Sequence, residues 1–342
     1  MVAVYDVDSR FIGRFDAICA KSKNKKRILL VFFCEFGTLF VLLKNKKYKN
    51  MKKTRFRAYQ LGEKGSSFSY SVDNHFTLIE GRFNEVNRAN VLYEMKCAGV
   101  TRVSCLHITS WDEDHCKETE LRNILSELRP LRIEYPGYEP DSDCGKACKK
   151  MIQNYCVRNI ICSKAVTPDY IKSLTVGENR QYNDILYNPT EGHTSHNDNS
   201  IVKLFRQGRF TLLSLGDCES SEIAQTIEGC SIASTEVDVM ILAHHGADNG
   251  FTTEKFVNKI NPKVTICSSN YDNQFEHPRQ NVRNILFNHE PTIPLYTTKT
   301  GDVVITCNED NVVHVYNLIS NNTKMSSLMT FSPKLIVSNN YD

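Results

Sequence analysis

Asp112, Glu113, Asp114 and His115 stand consecutively in the stretch "ITSWDEDHC", residues 108–116. Three carboxylates beside one imidazole repel one another, and burying them is costly unless a positive charge neutralises them. A divalent metal is the simplest such partner. Three other clusters carry related chemistry: "LGD" at 215–217, "AHHGADNG" at 243–250 and "SSNYDNQFEHP" at 268–278. Singly, each has a bland reading. An Asp after Gly is commonly a turn or helix cap, and a His-His pair commonly faces solvent. Together they supply at least three carboxylates and three histidines, the ligand chemistry of a one- or two-metal hydrolytic site.

The apolar pattern puts each cluster at the end of a strand. From residue 54, "TRFRAYQLG", "SSFSYSV" and "HFTLIEG" read as short strands, with "GEKGSS" turning between the first two. "EVNRANVLYEMKCAG" carries apolar residues on a helical period. "VTRVSCLHITS" is the strand that delivers the acidic cluster, and "CKETELRNILSEL" is the next helix. A polar region with one helix over 145–157 runs to about residue 195. From Ser200, strands ("SIVKLFRQG", "FTLLSLGD", "VDVMILAHHG", "KVTICSSN", "IPLYTT") alternate with helices ("SEIAQTIEG", "TTEKFVNKI", "PRQNVRNILF"), and "DVVITC" and "VVHVYNL" close the set. Two such sets predict an α/β fold of two sheets packed face to face with helices outside, an αββα sandwich. Ligands in α/β folds sit where loops converge at strand ends.

Charge and composition bound the function. The 342 residues carry a net charge of +3, but residues 1–53 hold 13 Lys/Arg against 4 Asp/Glu, so the remainder is mildly acidic. Such a body argues against a broad DNA-coating surface and leaves room for a short basic groove. The 13 cysteines form no regular pairing pattern, and no early apolar leader core is evident, which predicts reduced thiols and a cytoplasmic body. Cys144 and Cys148 have the spacing of one helix face, favoured here over a structural zinc site. "ILLVFFCEFGTLFVLL", residues 28–43, is flanked by lysines and interrupted by Glu35. It is shorter than the roughly 20 residues of a spanning helix, which makes it a marginal membrane anchor. A buried helix or strand, or a true start at Met51, are the alternatives. The expected organisation is a basic extension over 1–53, a catalytic domain over 54–318 and a loosely attached polar tail over 319–342.

The ordered set of motifs resembles the metallo-β-lactamase-fold hydrolases, and within them the branch that includes the C-terminal domain of the competence protein ComEC. That branch opens with a strand, a Gly-rich turn and a strand, matched by "YQLGEKGSSFSYSV" and then "TLIEG". Its metal motif H-x-[HD]-x-D-H is matched by Ser110, Asp112, Asp114 and His115. Pro189, Asn199 and Ser200 fit its next stretch, Asp217 its Gly-Asp, His244-His245-Gly246 its His-His-Gly, and Ser268, Asn270 and His277-Pro278 its Ser…Asn…His-Pro. "TTKTGDVVIT" matches its closing strand pair. Two departures stand out: Ser110 replaces the first histidine of the metal motif, and "CKETEL" follows where glycines are usual. His193 and His196 are candidates for a further family histidine, although the segment fits the Asn/Ser variant better.

The resemblance implies a metal-dependent hydrolase with one or two divalent ions, Zn or Mn. It implies Asp114, His115, Asp217 and one of His244 and His245, with His245 preferred, around one ion and Asp112 toward a second. With Ser110 in place of a histidine, the second position becomes oxygen-rich or weak, leaving two metals, one metal or a degenerate enzyme as open readings. Asp114, His244 and His277 are the catalytic candidates, with His277 at the leaving group; Ser268, Asn270 and Asn199 are candidates for substrate binding. The substrate class implied is a phosphodiester, as a nuclease or nucleotide phosphodiesterase. Lys117, Arg279 and Lys299 are the expected cations, and Trp111, Tyr271 and Phe275 the expected base-stacking rings. The contrasting function is a binding or sensor domain that has lost turnover through Ser110.

Overall fold

The computed structural model describes residues 53–175, 184–187, 195–308, 311–319 and 324–335, and three strands of the N-terminal region. The chain divides into two compact units, Met1–Asn50 and Met51–Asp342.

In the first unit, β1 (Asp16–Lys21), β2 (Arg27–Phe33) and β3 (Leu39–Asn45) form an antiparallel sheet in sequence order. The apolar run 28–43 is therefore not one spanning helix. Its halves pair with each other, from Arg27 opposite Asn45 to Phe33 opposite Leu39. Val, Ile and Phe suit a pleated surface better than a short interrupted helix. No helix among the described residues is long and apolar enough to cross a membrane. Glu35 lies outside the described residues.

The described residues of the second unit form two sheets. The larger has nine strands and runs in the order β18-β17-β16-β4-β5-β6-β7-β8-β9. Here β4 is Thr54–Ala58, β5 Phe68–Val72, β6 His75–Ile79, β7 Cys105–His107, β8 Arg132–Pro136 and β9 Cys162–Val166. The far edge is β16 (Val303–Cys307), β17 (Val313–Leu318) and β18 (Met325–Phe331). The smaller sheet orders β10 (Asp184–Tyr187), β11 (Val202–Phe205), β12 (Thr211–Ser214), β13 (Val237–Ile241), β14 (Val264–Cys267) and β15 (Leu295–Thr297) in sequence. Hairpin-linked strands pair antiparallel. The strands joined by helical crossovers, β6 to β9 and β12 to β15, run parallel.

Alternation along each strand sorts side chains into layers. In β4, Phe56 and Ala58 face the second sheet, where Leu212, Val239 and Ile266 meet them. Arg55 and Arg57 point the other way and reach Glu94 at 2.8 and 3.2 Å. Glu94 lies on α1 (Arg88–Cys97), which packs with α3 (Asp143–Asn159) on the outer face through Val91, Met95, Ile152 and Cys156. On the opposite outer face, α5 (Ser221–Glu228), α6 (Ser231–Glu236), α7 (Glu254–Ile260) and α8 (Gln280–Asn288) cover the smaller sheet through Ile223, Ala233, Phe256 and Leu286. The αββα sandwich expected from the sequence is the observed fold.

Several elements differ from expectation. The polar region before residue 195 contributes β8 and β9, short strands whose charges hide them, and also α4 (Pro168–Thr175). The helix over 116–128 is α2 (Glu118–Asn123) closed by one π turn, Ile124–Leu128. The presumed tail supplies β18, antiparallel to β17, because Met329 and Phe331 pack against the inter-sheet core. Cys144 and Cys148 do share a helix face: each thiol donates to the Cys116 carbonyl at 3.6 Å.

His107, three residues before Ser110, is fully buried away from the acidic cluster. Its Nδ1 stands 3.0 Å from Glu134 Oε2, which also accepts from Lys203 Nζ at 2.7 Å; Arg132 pairs with the other carboxylate oxygen. Burial alone raises the Glu134 pKa, but Lys203, His107 and Arg132 outweigh it and hold the carboxyl well below its ordinary 4.5. A depressed folded pKa contributes stability that is present above the unfolded value and lost as the pH falls below it. We expect Lys203→Met to cost about 3 kcal/mol at pH 7, since a buried carboxylate loses a partner. Urea unfolding from pH 7 to 3 measures both effects: the wild type weakens below about pH 4.5, and the variant does so less steeply.

Candidate metal centre

Four parallel strands deliver the chemistry at their C-terminal ends. Glu80 follows β6, Ser110–His115 follow β7, Asp217 follows β12, and His244 and His245 follow β13. Asp114, His115, Asp217 and His245 each offer a ligand atom, and the four atoms lie within 4.8 Å of one another. It is the one such cluster found among the described residues.

The two imidazoles are held by their far nitrogens. His245 Nδ1 donates to the Ser268 carbonyl at 2.8 Å. His115 Nδ1 lies 3.2 Å from Thr109 Oγ1 and 3.3 Å from Glu80 Oε1. Glu80 is itself fixed: Thr109 donates to it from its backbone N at 3.0 Å and from Oγ1 at 2.6 Å. Both Nε2 atoms therefore face the cluster. They are buried and have no hydrogen-bond partner. Asp217 Oδ2 stands 2.8 Å from His115 Nε2 but off the line of a hydrogen bond. His245 Nε2 is 3.7 Å from Asp114 Oδ2 and 3.8 Å from Asp217 Oδ1. Orphaned nitrogens converging with carboxylates fit a divalent metal, whose ligands keep their distance from each other and meet at the ion. Anchoring the far nitrogen of each histidine fixes its tautomer and aim.

The electrostatics agree. Burial would raise the Asp217 pKa, but His115 and His245 hold it well below the carboxylate range. Burial would lower that of His115, but Asp217 and Glu80 push it well above the ordinary 6.5. The cluster thus attracts positive charge. His277 is the opposite case: burial first, then His245 and His244, bring it down to about 4.

The backbone is bent to make this arrangement. Glu80, His244 and His245 all have left-handed φ, of 74°, 44° and 54°. Non-glycine residues there cost about 1–3 kcal/mol each and persist only where surroundings enforce them. Gly216 also has left-handed φ, and a Cβ there would meet Ser200 Cβ at 2.7 Å. Ser200 Oγ accepts from the Asp217 backbone N at 3.2 Å, so this close approach helps place Asp217.

The other expected residues fall as follows. Asp112 stands outside the cluster, its carboxylate accepting from Ser110 Oγ at 2.9 Å. His244 Nδ1 lies 2.7 Å from Glu219 Oε1. His244, Ser268, Asn270 and His277 line a cavity of about 270 Å³ that opens beside Asp114 and His245. Asn199 does not line it; its amide donates to the Ser195 carbonyl. His196 pairs with Asp141, and His193 lies outside the described residues. Lys117 is tied to Glu63 at 3.2 Å and Arg279 to Glu276 at 3.2 Å, and neither lines the cavity, whereas Lys64 does. Trp111 is buried, with Nε1 donating to the Tyr138 carbonyl, so it cannot stack on a ligand. Tyr271 and Phe275 are exposed.

Glu80, Thr109, Lys64 and Asn273 were not singled out from the sequence. "TLIEG" reads as a strand end and as part of the opening of the resembled branch, and nothing local announces that Glu80 reaches His115 from a neighbouring strand.

Elemental analysis of protein purified without chelator should find a divalent metal in the wild type, and little in Asp217→Asn or His245→Ala. Asp112→Ala should retain it. Removing the carboxylate behind a ligating histidine typically costs 10–100-fold in metal affinity, so Glu80→Gln should weaken binding by about that factor in a chelator competition.

No protein-family profile matches the chain. Over 208 residues it is 24% identical to ComE operon protein 3 of Bacillus subtilis; the match covers 60% of this chain and 25% of that protein. The chain thus spans about a quarter of that relative's length. Among solved structures, the metallo hydrolase Igni18 from Ignicoccus hospitalis overlaps 75% of this chain and 99% of its own, with a TM-score of 0.44 and 11% identity. A variant of the CmlA β-hydroxylase overlaps 75% of this chain and 54% of its own, with a TM-score of 0.44 and 10% identity. Overlaps this loose decide nothing alone; the strand order and the ligand cluster carry the assignment. The fold is an αββα sandwich of the metallo-β-lactamase type, and the chain resembles the ComEC-like branch of its hydrolases.

Proposed function

We propose that the protein is a metal-dependent hydrolase of phosphodiesters, acting on nucleotides or DNA ends. The observation that carries this reading is the pair of orphaned Nε2 atoms of His115 and His245 meeting the carboxylates of Asp114 and Asp217 beside an open cavity. Two nitrogens with two carboxylates suit Zn or Mn, and Asp112 bonded to Ser110 favours one ion over two. An ion held there supplies Lewis acidity and a water acidified toward neutral pH.

The chain's own groups divide the remaining work. Asp114, 28% exposed at its side chain, borders the cavity and can orient an attacking water. Lys64 offers an ammonium to a phosphate oxygen, and Asn270 an amide. His277 is neutral at pH 7, so its ring offers one N–H and one acceptor nitrogen to a leaving oxygen. The resemblance to the ComEC-like branch supports a phosphodiester substrate, because its members act on such bonds.

Ser110 also favours a second reading, a metal-holding domain without turnover. Its hydroxyl occupies Asp112 where a histidine would leave that carboxylate for an ion.

Full-length protein loaded with Mn²⁺ or Zn²⁺ should hydrolyse bis(p-nitrophenyl) phosphate and trim a labelled single-stranded oligonucleotide. Asp114→Ala should lose about 1,000-fold, the few kcal/mol that Lewis-acid catalysis contributes. Metal-loaded wild type that turns over neither substrate, while Ser110→His gains activity, would establish the second reading.

A further inference from the structure

The segment between β14 and α8 holds His277 at the cavity, and one side chain does most of the holding. Asn273 Oδ1 accepts from the His277 backbone N at 2.5 Å. Its Nδ2 donates to the His277 carbonyl at 3.1 Å and to the Asn270 carbonyl at 3.2 Å. One amide therefore grips both backbone groups of His277 and ties them to Asn270, a second cavity residue. Between the ends of the clamp, Glu276 sits at φ 55°, in the left-handed region. A loop passing through such a residue needs outside enforcement.

The ring is set separately. His277 lies nearly parallel to His245, with centroids 6.3 Å apart at 11°, and to Phe275, 5.6 Å apart at 24°. Among the described residues, neither ring nitrogen of His277 forms a hydrogen bond. The imidazole is oriented by stacking and left chemically free.

We infer that Asn273 is a positioning residue, which acts by fixing the main chain from which His277 faces the cavity. The inference rests on the hydrolase reading above. The amide chemistry is specific: Asn offers an acceptor to an N–H and donors to two carbonyls. Asp has the same shape, but its second oxygen would face the carbonyls of His277 and Asn270 as an acceptor. Asn273→Asp therefore tests the donors without changing the volume, and Asn273→Ala removes the clamp.

The test uses the full chain with metal content matched to wild type, and diaryl phosphates with a good (p-nitrophenolate) and a poor (phenolate) leaving group. If His277 assists the leaving oxygen, His277→Ala loses about 100-fold more on the poor leaving group, in kcat rather than KM. Asn273→Ala and Asn273→Asp should reproduce that selectivity at about 10-fold or more, and adding Asn273→Ala to His277→Ala should cost little further. Equal losses on both leaving groups, or losses that multiply in the double variant, would overturn the inference. A second readout needs no turnover. In ¹⁵N-histidine-labelled protein, the ring signal missing from His277→Ala should shift or broaden in both Asn273 variants, while that of His115, which does not touch His277, stays in place. An unmoved His277 signal refutes the positioning role. If metal-loaded wild type proves inert on every phosphodiester, the hydrolase reading fails and this spectrum still decides the role of Asn273.

Discussion

Asp217 is almost wholly buried beside two imidazoles, with the Asp114 carboxylate across the cluster. Crowded negative charge in a protein interior has to be answered by positive charge. The histidines could answer by protonating, and the elevated pKa of His115 records that pull. Their orientation indicates a different partner: each turns an unbonded Nε2 inward and spends its Nδ1 on an anchor. Much of the surrounding structure follows from keeping those four atoms in place.

The anchors come from elements far apart in the chain. Glu80 and Thr109 arrive on neighbouring parallel strands of the larger sheet, whereas Asp217 and the Ser268 carbonyl arrive on the smaller one. Inter-sheet packing of Phe56, Phe68 and Ile79 against Leu212, Val239 and Ile266 is what brings the two halves of the cluster together. A packed, apolar interface of this kind resists small displacements, so the geometry of the cluster inherits its rigidity from the core. The same two sheets also enclose Glu134 with Lys203 and His107, a second buried charge group with its own partners.

Part of the backbone strain lies at the centre, while other non-glycine residues with left-handed φ, such as Arg129, Ile160 and Asn261, end helices elsewhere. Glu80, His244, His245 and Glu276 all occupy left-handed backbone although none is glycine. Two of them are histidines of the cluster or its cavity, one anchors His115, and one precedes His277. Each local cost is borne by neighbours that leave the chain no alternative: Glu80 is gripped by Thr109, and the loop carrying Glu276 by Asn273. Strain in the turns that aim functional side chains lets a rigid scaffold present groups at angles that relaxed strands cannot reach.

Much of the fold was legible in the sequence, because alternation in "TRFRA" and "FSYSV" and helical spacing in "EVNRANVLYEMKC" are local signals. The four candidate ligands were legible because their types are chemically rare at strand ends and recur in a recognisable order. Other features depended on tertiary structure. The strands at Arg132–Pro136 and Met325–Phe331 lack a clean pattern, and their pairing partners define them. The apolar run at 28–43 had the composition of a short span, but pairing of its two halves made it a hairpin of strands. Asp112 and Asp114 are two residues apart and chemically identical, and the folded loop separates them: Asp112 accepts from Ser110, while Asp114 faces His245 within the cluster. Glu80, Lys64 and Asn273 acquire their roles across gaps that no local pattern encodes. The sequence by itself determined which chemistry is present; the packing of two sheets decided which copies of each group meet, because that depends on distances the linear chain does not contain.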